Sequence, residues 1–268
     1  MSIAAIGLGI TSISLIIWVV LLCFWGLFWL ADQRLDVVTT ELEKWPNVWA
    51  VIPARNEADV LPETVRSLLT QSYPPDCFNI VLVDDNSTDD TGKVAREVAL
   101  ELNKSQQLQV ISGEALPPGW TGKLWAIEQG IRHTENYTTK PDYFLLTDAD
   151  IEHDRENLRQ LVTKAKLEDL DLVSLMVLLR CESVWEKLLI PAFVFFFQKL
   201  YPFRWVNNPK NATAAAAGGC ILIKREALNR VGGIQVLRQA LIDDCSLAKA
   251  VKIGEAEPLK IGSQAEPG

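Results

Sequence analysis

A mostly parallel, doubly wound α/β domain behind an N-terminal transmembrane helix is the fold class that the sequence predicts, from three observations. The first charged residue is Asp32, so residues 1–31 form one uncharged run. Beyond it, short all-apolar runs alternate with amphipathic segments of helical period, the pattern of βαβ units whose sheet is buried on both faces. Two of the apolar runs end in paired acids.

As a helix, residues 3–31 would measure about 43 Å against a hydrocarbon core of about 30 Å. Trp18, Trp25 and Trp29 crowd its second half, where indoles suit the interface, and the nearest basic residues, Arg34 and Lys44, follow it. That bias predicts a cytosolic domain on an inner, cytoplasmic membrane. No Lys or Arg precedes the run, and it is longer than a signal-peptide core, so the reading is an uncleaved anchor. Residues 32–46 then form a linker, 47–253 the domain, and 254–268 a polar tail.

Within the domain, residues 48–52 are an apolar run stopped by Pro53, and 80–83 another stopped by Asp84 and Asp85. Neither alternates, as expected of strands buried on both faces. Between them, Val60, Leu61, Thr64, Val65, Leu68 and Leu69 recur at helical spacing over 57–70. The unit repeats as a helix over 88–102 capped by Ser87, a strand at 108–111, a helix at 123–133 and a strand at 143–147. A further helix starts near Arg155, and one more strand is predicted over 172–179 before the character of the sequence changes. Residues 188–197, LLIPAFVFFF, span about 15 Å as a helix, half a bilayer. With Lys187, Lys199 and Arg204 around them, they predict a membrane-surface helix over 188–206, which would open the active site toward lipid.

Composition narrows the chemistry. The 26 basic and 34 acidic residues leave a net charge of −8, which excludes a nucleic-acid partner. Five dispersed cysteines with no C-x-x-C pair, and two histidines, speak against zinc and against a disulfide framework, and fit a reducing cytosol. The N-x-S/T triplets at Asn86, Asn136 and Asn211 are read as chance.

In an open parallel sheet, ligands collect beyond the carboxyl ends of the strands. Asp148 and Asp150 follow the strand at 143–147 and, two apart in an extended segment, share a face. Oxygen ligands without sulfur select Mg2+ or Mn2+, which keeps open positions for substrate phosphates. A D-x-D by itself is more often a helix cap or a solvated turn.

The wider arrangement adds weight. In order stand P-A-R-N-E at 53–57, V-D-D-N-S-T-D-D-T at 83–91, G-K-L-W-A-I-E-Q-G at 122–130, T-D-A-D at 147–150, G-G-C-I-L-I-K-R-E-A-L at 218–228 and I-D-D at 242–244. Over residues 47–253 this resembles the glycosyltransferase family 2 proteins of GT-A (nucleotide-diphospho-sugar transferase) fold. The anchor, the W-P-x-V-x-x-V-I-P-A-R-N-E opening and the P-x-G-W-x-G-K-x-W-A segment at 117–126 are most similar to the membrane-anchored, hopanoid-biosynthesis-associated members.

The resemblance implies a metal-dependent inverting transfer from a nucleotide sugar, expected to be a UDP-sugar, to a lipid or lipid-linked hydroxyl. By similarity, Pro53, Ala54, Arg55, Asn56, Glu57 and Asp85 hold the nucleoside, with Asp84 assisting. Lys123 stands near the diphosphate, and Asp148 and Asp150 bind the metal that bridges to it. Asp244 is the catalytic base, preceded by Asp243, and Gly218 and Gly219 let the backbone approach the acceptor or donor sugar. His153 is expected in a loop rather than on the metal. The processive Q-x-x-R-W helix does not follow Asp244, and Arg204-Trp205 precedes it, a coincidence. The resemblance also implies further hydrophobic helices where this chain has its polar tail. That departure reads as truncation or divergence and leaves an alternative open: a catalytically impaired, membrane-tethered nucleotide-sugar-binding protein.

Overall fold

The computed structural model describes residues 2–35, 40–238, 240, 242–254 and 259–263. Helix α1, Ile3–Cys23, opens on Ser2, whose Oγ accepts the Ala5 amide, and none of its residues is buried. It is long and apolar enough to cross a membrane. The chain then turns through Gly26 into a single 3-10 turn, Phe28–Leu30. Gly26 has φ +62°, and a Cβ there would stand 2.5 Å from Pro202 Cβ, so only glycine makes this exit from the helix.

The domain alternates strand and helix as β1 Val48–Ala54, α2 Leu61–Leu69, β2 Phe78–Asp84, α3 Thr91–Glu101, β3 Leu108–Ser112, α4 Gly122–Thr134, β4 Tyr143–Thr147, α5 Asn157–Leu167 and β5 Leu172–Met176. There follow α6 Val184–Leu200, α7 Phe203–Val206, β6 Cys220–Lys224, α8 Arg225–Arg230, α9 Asp243–Ile253 and β7 Leu259–Ser263. The sheet runs β3-β2-β1-β4-β6-β5-β7. Strands β3, β2, β1 and β4 are parallel, whereas β6 lies antiparallel between β4 and β5, making the sheet mixed. The stretch read as a polar tail thus contributes, at Leu259–Ser263, an edge strand parallel to β5. Residues 255–258 and 264–268 of that stretch lie outside the described residues, as do 36–39 of the linker.

Both faces of the sheet are covered, which is why its central strands carry no polar alternation. Ala50, Ile52, Ile80 and Leu82 face α2, α3 and α5 through Leu61, Leu68, Val98 and Leu158. Trp49, Val51, Val81 and Val83 face α4 and the C-terminal helices through Leu124, Ile127, Phe203 and Leu247. The linker packs on the first layer: Trp45 meets Tyr73 edge-on at 5.1 Å, and the Tyr73 hydroxyl donates to Pro46 O at 2.7 Å.

Helices α2 and α3 start later than helical spacing predicts, at Leu61 and Thr91 instead of 57 and 88. The reason is local competition by short polar side chains. Ser87 does not cap α3; its Oγ accepts the Asn56 amide at 3.0 Å, while Thr91 Oγ1 accepts from Glu57 N and Asp89 from Ala58 N. The two loops are thereby laced together at the carboxyl ends of β1 and β2. Strand β5 ends at Met176, short of residue 179.

Candidate active site

The strand order reverses between β1 and β4: β2 and β3 lie to one side and the rest to the other. At such a switch point the following loops diverge and leave a crevice. Here the crevice is a cleft of about 400 Å³, lined from β1 by Pro53, Ala54, Arg55 and Glu57, from β2 by Asp85, from α4 by Gly122, Lys123 and Ala126, and from the β4 end by Asp148, Ala149 and Asp150. That volume suits a small-molecule ligand.

Asp85 is set by its backbone, whose amide donates to Ala54 O at 2.8 Å, and its carboxylate lies 3.6 Å from Arg55 Nη1. Gly122 lets α4 approach, since a Cβ there would stand 3.2 Å from Asp85 Oδ2. Asp84 turns the other way: its Oδ1 accepts the Ser87 amide at 3.0 Å, and it is absent from the cleft lining. Asn56, at φ +57°, likewise serves the loop, its Oδ1 accepting from Thr88 N at 2.7 Å. Both close turns rather than face the cleft.

The D-x-D segment occupies a turn just past β4 instead of continuing the strand. Ala149 is buried, whereas Asp148 and Asp150 are turned to the cleft, so the two carboxylates do share a side. Thr64 of α2 pins the turn, its buried hydroxyl donating to Ala149 O at 2.8 Å. Below it, Thr147 Oγ1 donates to Gly219 O at 2.9 Å, tying β4 to the start of β6. His153 sits in the following loop as expected, buried between Thr147 Oγ1 and Asn157 Nδ2, each at 2.9 Å. Burial lowers its pKa to about 4, so it stays neutral and structural.

Lys123, in the first turn of α4, places Nζ 2.5 Å from Asp148 Oδ1. A Cβ built on Gly218 would lie 3.5 Å from that same Nζ and 3.4 Å from Asp244 Oδ2. Lys123 therefore stands between the two carboxylates, and it lines both the main cleft and the smaller recess that holds Asp243, Asp244 and Gly218. Asp244, in the first turn of α9, accepts the Gly218 amide on Oδ2 at 2.9 Å and the Cys245 amide on Oδ1 at 2.7 Å. Burial raises its carboxyl above the ordinary aspartate value; Asp243 adds to the rise, and the two amides and Lys123 oppose it. Gly219 has a different environment: a Cβ there would meet Val177 and Ile151, so it is a packing position.

Tyr201, at the C-terminal end of α6, was not singled out by sequence reasoning. Burial raises its phenol pKa, with Cys245 and Asp244 as neighbours that raise it further. No local pattern marks it, because it meets α9 only through the fold.

A divalent cation fits this donor set only in part. Among the described residues no group of three or more His, Cys, Asp or Glu is arranged to hold a metal. Asp148 and Asp150 are two oxygen donors on one side of a cleft, and Glu57 is close enough to feel them: burial raises its carboxyl pKa, and Asp150, Asp89 and Asp148 raise it further. Such a site suits Mg2+ or Mn2+ completed by the phosphates of a ligand rather than a closed protein cage.

Comparison with known proteins places this arrangement. The family described as Glycosyl transferase family 2 matches residues 49–232. A 4,4'-diaponeurosporenoate glycosyltransferase of Staphylococcus haemolyticus is 28% identical over 134 residues, 50% of this chain and 31% of that protein. A beta-monoglucosyldiacylglycerol synthase of Synechocystis is 30% identical over 118 residues, 44% of this chain and 22% of the relative. The matches thus span about a third or less of these relatives. Among solved structures, a mannosyltransferase from Pyrobaculum calidifontis in complex with GDP-Man and Mn2+ superposes with a TM-score of 0.65 at 22% identity, covering 96% of this chain and 68% of that one.

Proposed function

This chain belongs to glycosyl transferase family 2, and from that premise we propose that it moves a sugar with inversion from a nucleotide-sugar donor to a hydroxyl of a lipid or lipid-linked acceptor. The observation that carries the reading is Lys123, whose ammonium pairs with Asp148 in the cleft and which also lines the recess that holds Asp244. One cationic side chain at this point would sit where a diphosphate leaves and an acceptor oxygen arrives.

The donor nucleoside would lie on Pro53, Ala54, Arg55 and Glu57, with Asp85 accepting from its hydroxyl or amide groups. Asp148 and Asp150 would hold the Mg2+ or Mn2+ that, when bound, neutralises charge on the departing diphosphate. Lys123 would give up part of its hold on Asp148 to the phosphate oxygens. Asp244 would take the proton of the acceptor hydroxyl as that oxygen forms its bond to the anomeric carbon. The carbon–oxygen bond to the diphosphate breaks on the opposite face, and the nucleoside diphosphate leaves with the electron pair. The Gly218 amide, held on Asp244 Oδ2, keeps the base aimed.

We assign uridine as the donor base and a hopanoid-type lipid as the first acceptor to test, both from the sequence resemblance. Relatives named for diaponeurosporenoate and monoglucosyldiacylglycerol support a lipid acceptor. The domain is placed on the cytosolic side because Arg34 and Lys44 follow the span. A panel of UDP- and GDP-sugars offered with lipid extracts, read by mass spectrometry of the lipid products, tests the whole reading. UDP binding without transfer to any extract would sink it. Asp148→Asn is expected to slow turnover on the order of 10²- to 10³-fold with an unchanged circular dichroism spectrum, and full retained activity would remove the metal from the mechanism.

A further inference from the structure

Helix α6 is inside out for a soluble protein. Its one buried residue is a polar one, Gln198. Trp185 is 71% exposed and Phe193 54%, and with Leu188, Leu189, Phe196 and Leu200 they form an apolar stripe at helical spacing that none of the described residues covers. A continuous patch of this kind marks a contact surface. The helix opens on a complete capping box between Ser183 and Glu186 and continues through Pro191 to Leu200.

Where α6 sits says what covers it. Trp25, just past the end of α1, donates its indole N–H to Lys199 O at 2.9 Å and packs on Trp205 with ring centroids 5.1 Å apart. Phe28 meets Phe195 edge-on at 5.1 Å, and the Arg204 guanidinium pairs with Asp32. The exposed stripe is therefore stitched to the exit of a helix that has the length and composition of a membrane span and is itself uncovered. Lys187 and Lys199 stand near the two ends of the helix.

We propose that α6 is a second membrane contact, its aromatic stripe lying among the lipids of the leaflet into which the C-terminal end of α1 emerges. The domain is then held to the bilayer at two joined points. Resting on the glycosyl-transfer reading above, there is a consequence for the acceptor. The last turn of α6 ends at Tyr201, beside Cys245 and Asp244, so a lipid hydroxyl following the helix reaches the base from the membrane side.

The test needs no activity, so its failure is separate from failure of the transferase reading. The full chain, with Cys23, Cys77 and Cys181 replaced by serine, carries a bimane label through Phe193→Cys. Leu100→Cys on α3, which is 70% exposed on the other face of the sheet, serves as the reference. Both are reconstituted in phosphatidylcholine–phosphatidylglycerol vesicles. Nitroxide-labelled lipid should quench the label at 193 and not at 100, and iodide should quench 193 about fivefold less, as expected for a side chain seated below the headgroups. Equal iodide access at both positions overturns the proposal. So does shielding of position 193 from both quenchers, as a second copy or a protein partner would give. Leu189→Cys supplies a second reporter on the same stripe if Phe193→Cys does not fold.

Discussion

At the scale of single residues, the site turns on how an aspartate is made basic while remaining buried. Asp244 has two backbone amides on its carboxylate, yet burial outweighs them and raises its carboxyl above the ordinary value. The sign follows from linkage: with the folded value above the unfolded one, ionisation works against the fold. That cost is present at neutral pH and is relieved as pH falls toward the unfolded carboxylate range. Asp244→Asn is accordingly expected to melt no lower than the unaltered chain at pH 7, with any gain vanishing below about pH 4. The same variant should lose on the order of 10²- to 10⁴-fold in turnover. Thermal denaturation across pH, beside a single-turnover assay, checks both, and a destabilised Asp244→Asn with full turnover would remove the assignment. Lys123, Asp148, Asp150 and Asp244 are legible in the sequence because each sits at a strand end or helix start next to a recognisable motif. The diverging roles of Asp84 and Asp85 are not legible: the two are chemically identical neighbours, and only the pleat and the Ser87 amide turn one away from the cleft.

At the scale of elements, α4 matters most, since it carries Lys123 at its first turn and must lie close on the sheet. Gly130 permits that approach: a Cβ there would stand 2.6 Å from Val51 Cγ1 and 3.2 Å from Val83 Cγ2. Gly130→Ala is expected to destabilise the domain by about 1–3 kcal/mol through overpacking, and to weaken donor binding by shifting Lys123. Urea denaturation measures the first, and titration with a nucleotide sugar the second. An unchanged midpoint would mean that α4 has slack the packing does not show. Element existence was well marked by apolar runs and helical spacing, and boundaries less so. The starts of α2 and α3 slid inward because Ser87, Asp89 and Thr91 satisfy backbone amides of the neighbouring loop, a choice fixed by spatial proximity of residues some 30 positions apart. Strand β6 is not among the strands predicted from the sequence, and its antiparallel place between β4 and β5 is a matter of pairing between distant segments.

For the whole molecule, two materials are joined: an uncovered apolar helix and a packed α/β domain, fastened by Gly26, Trp25 and the Asp32–Arg204 pair. If α1 spans the bilayer, the chain should remain in the membrane fraction after alkaline carbonate and be released by detergent; release by carbonate alone would make α1 something other than a span. Arg204 and Trp205 belong to this fastening, with Trp205 packed at a tilt against Trp25. By itself the sequence determined the uncharged apolar run at the N-terminus, the α/β class, the order of the motifs and the identity of the acidic groups. Those depend on composition and period, which are local properties. Only the tertiary structure decided which carboxylates line the cleft and which the recess beside it, that Lys123 lines both, and that α6 meets the end of α1. These are distances between segments far apart along the chain, and packing sets them after the local elements have formed.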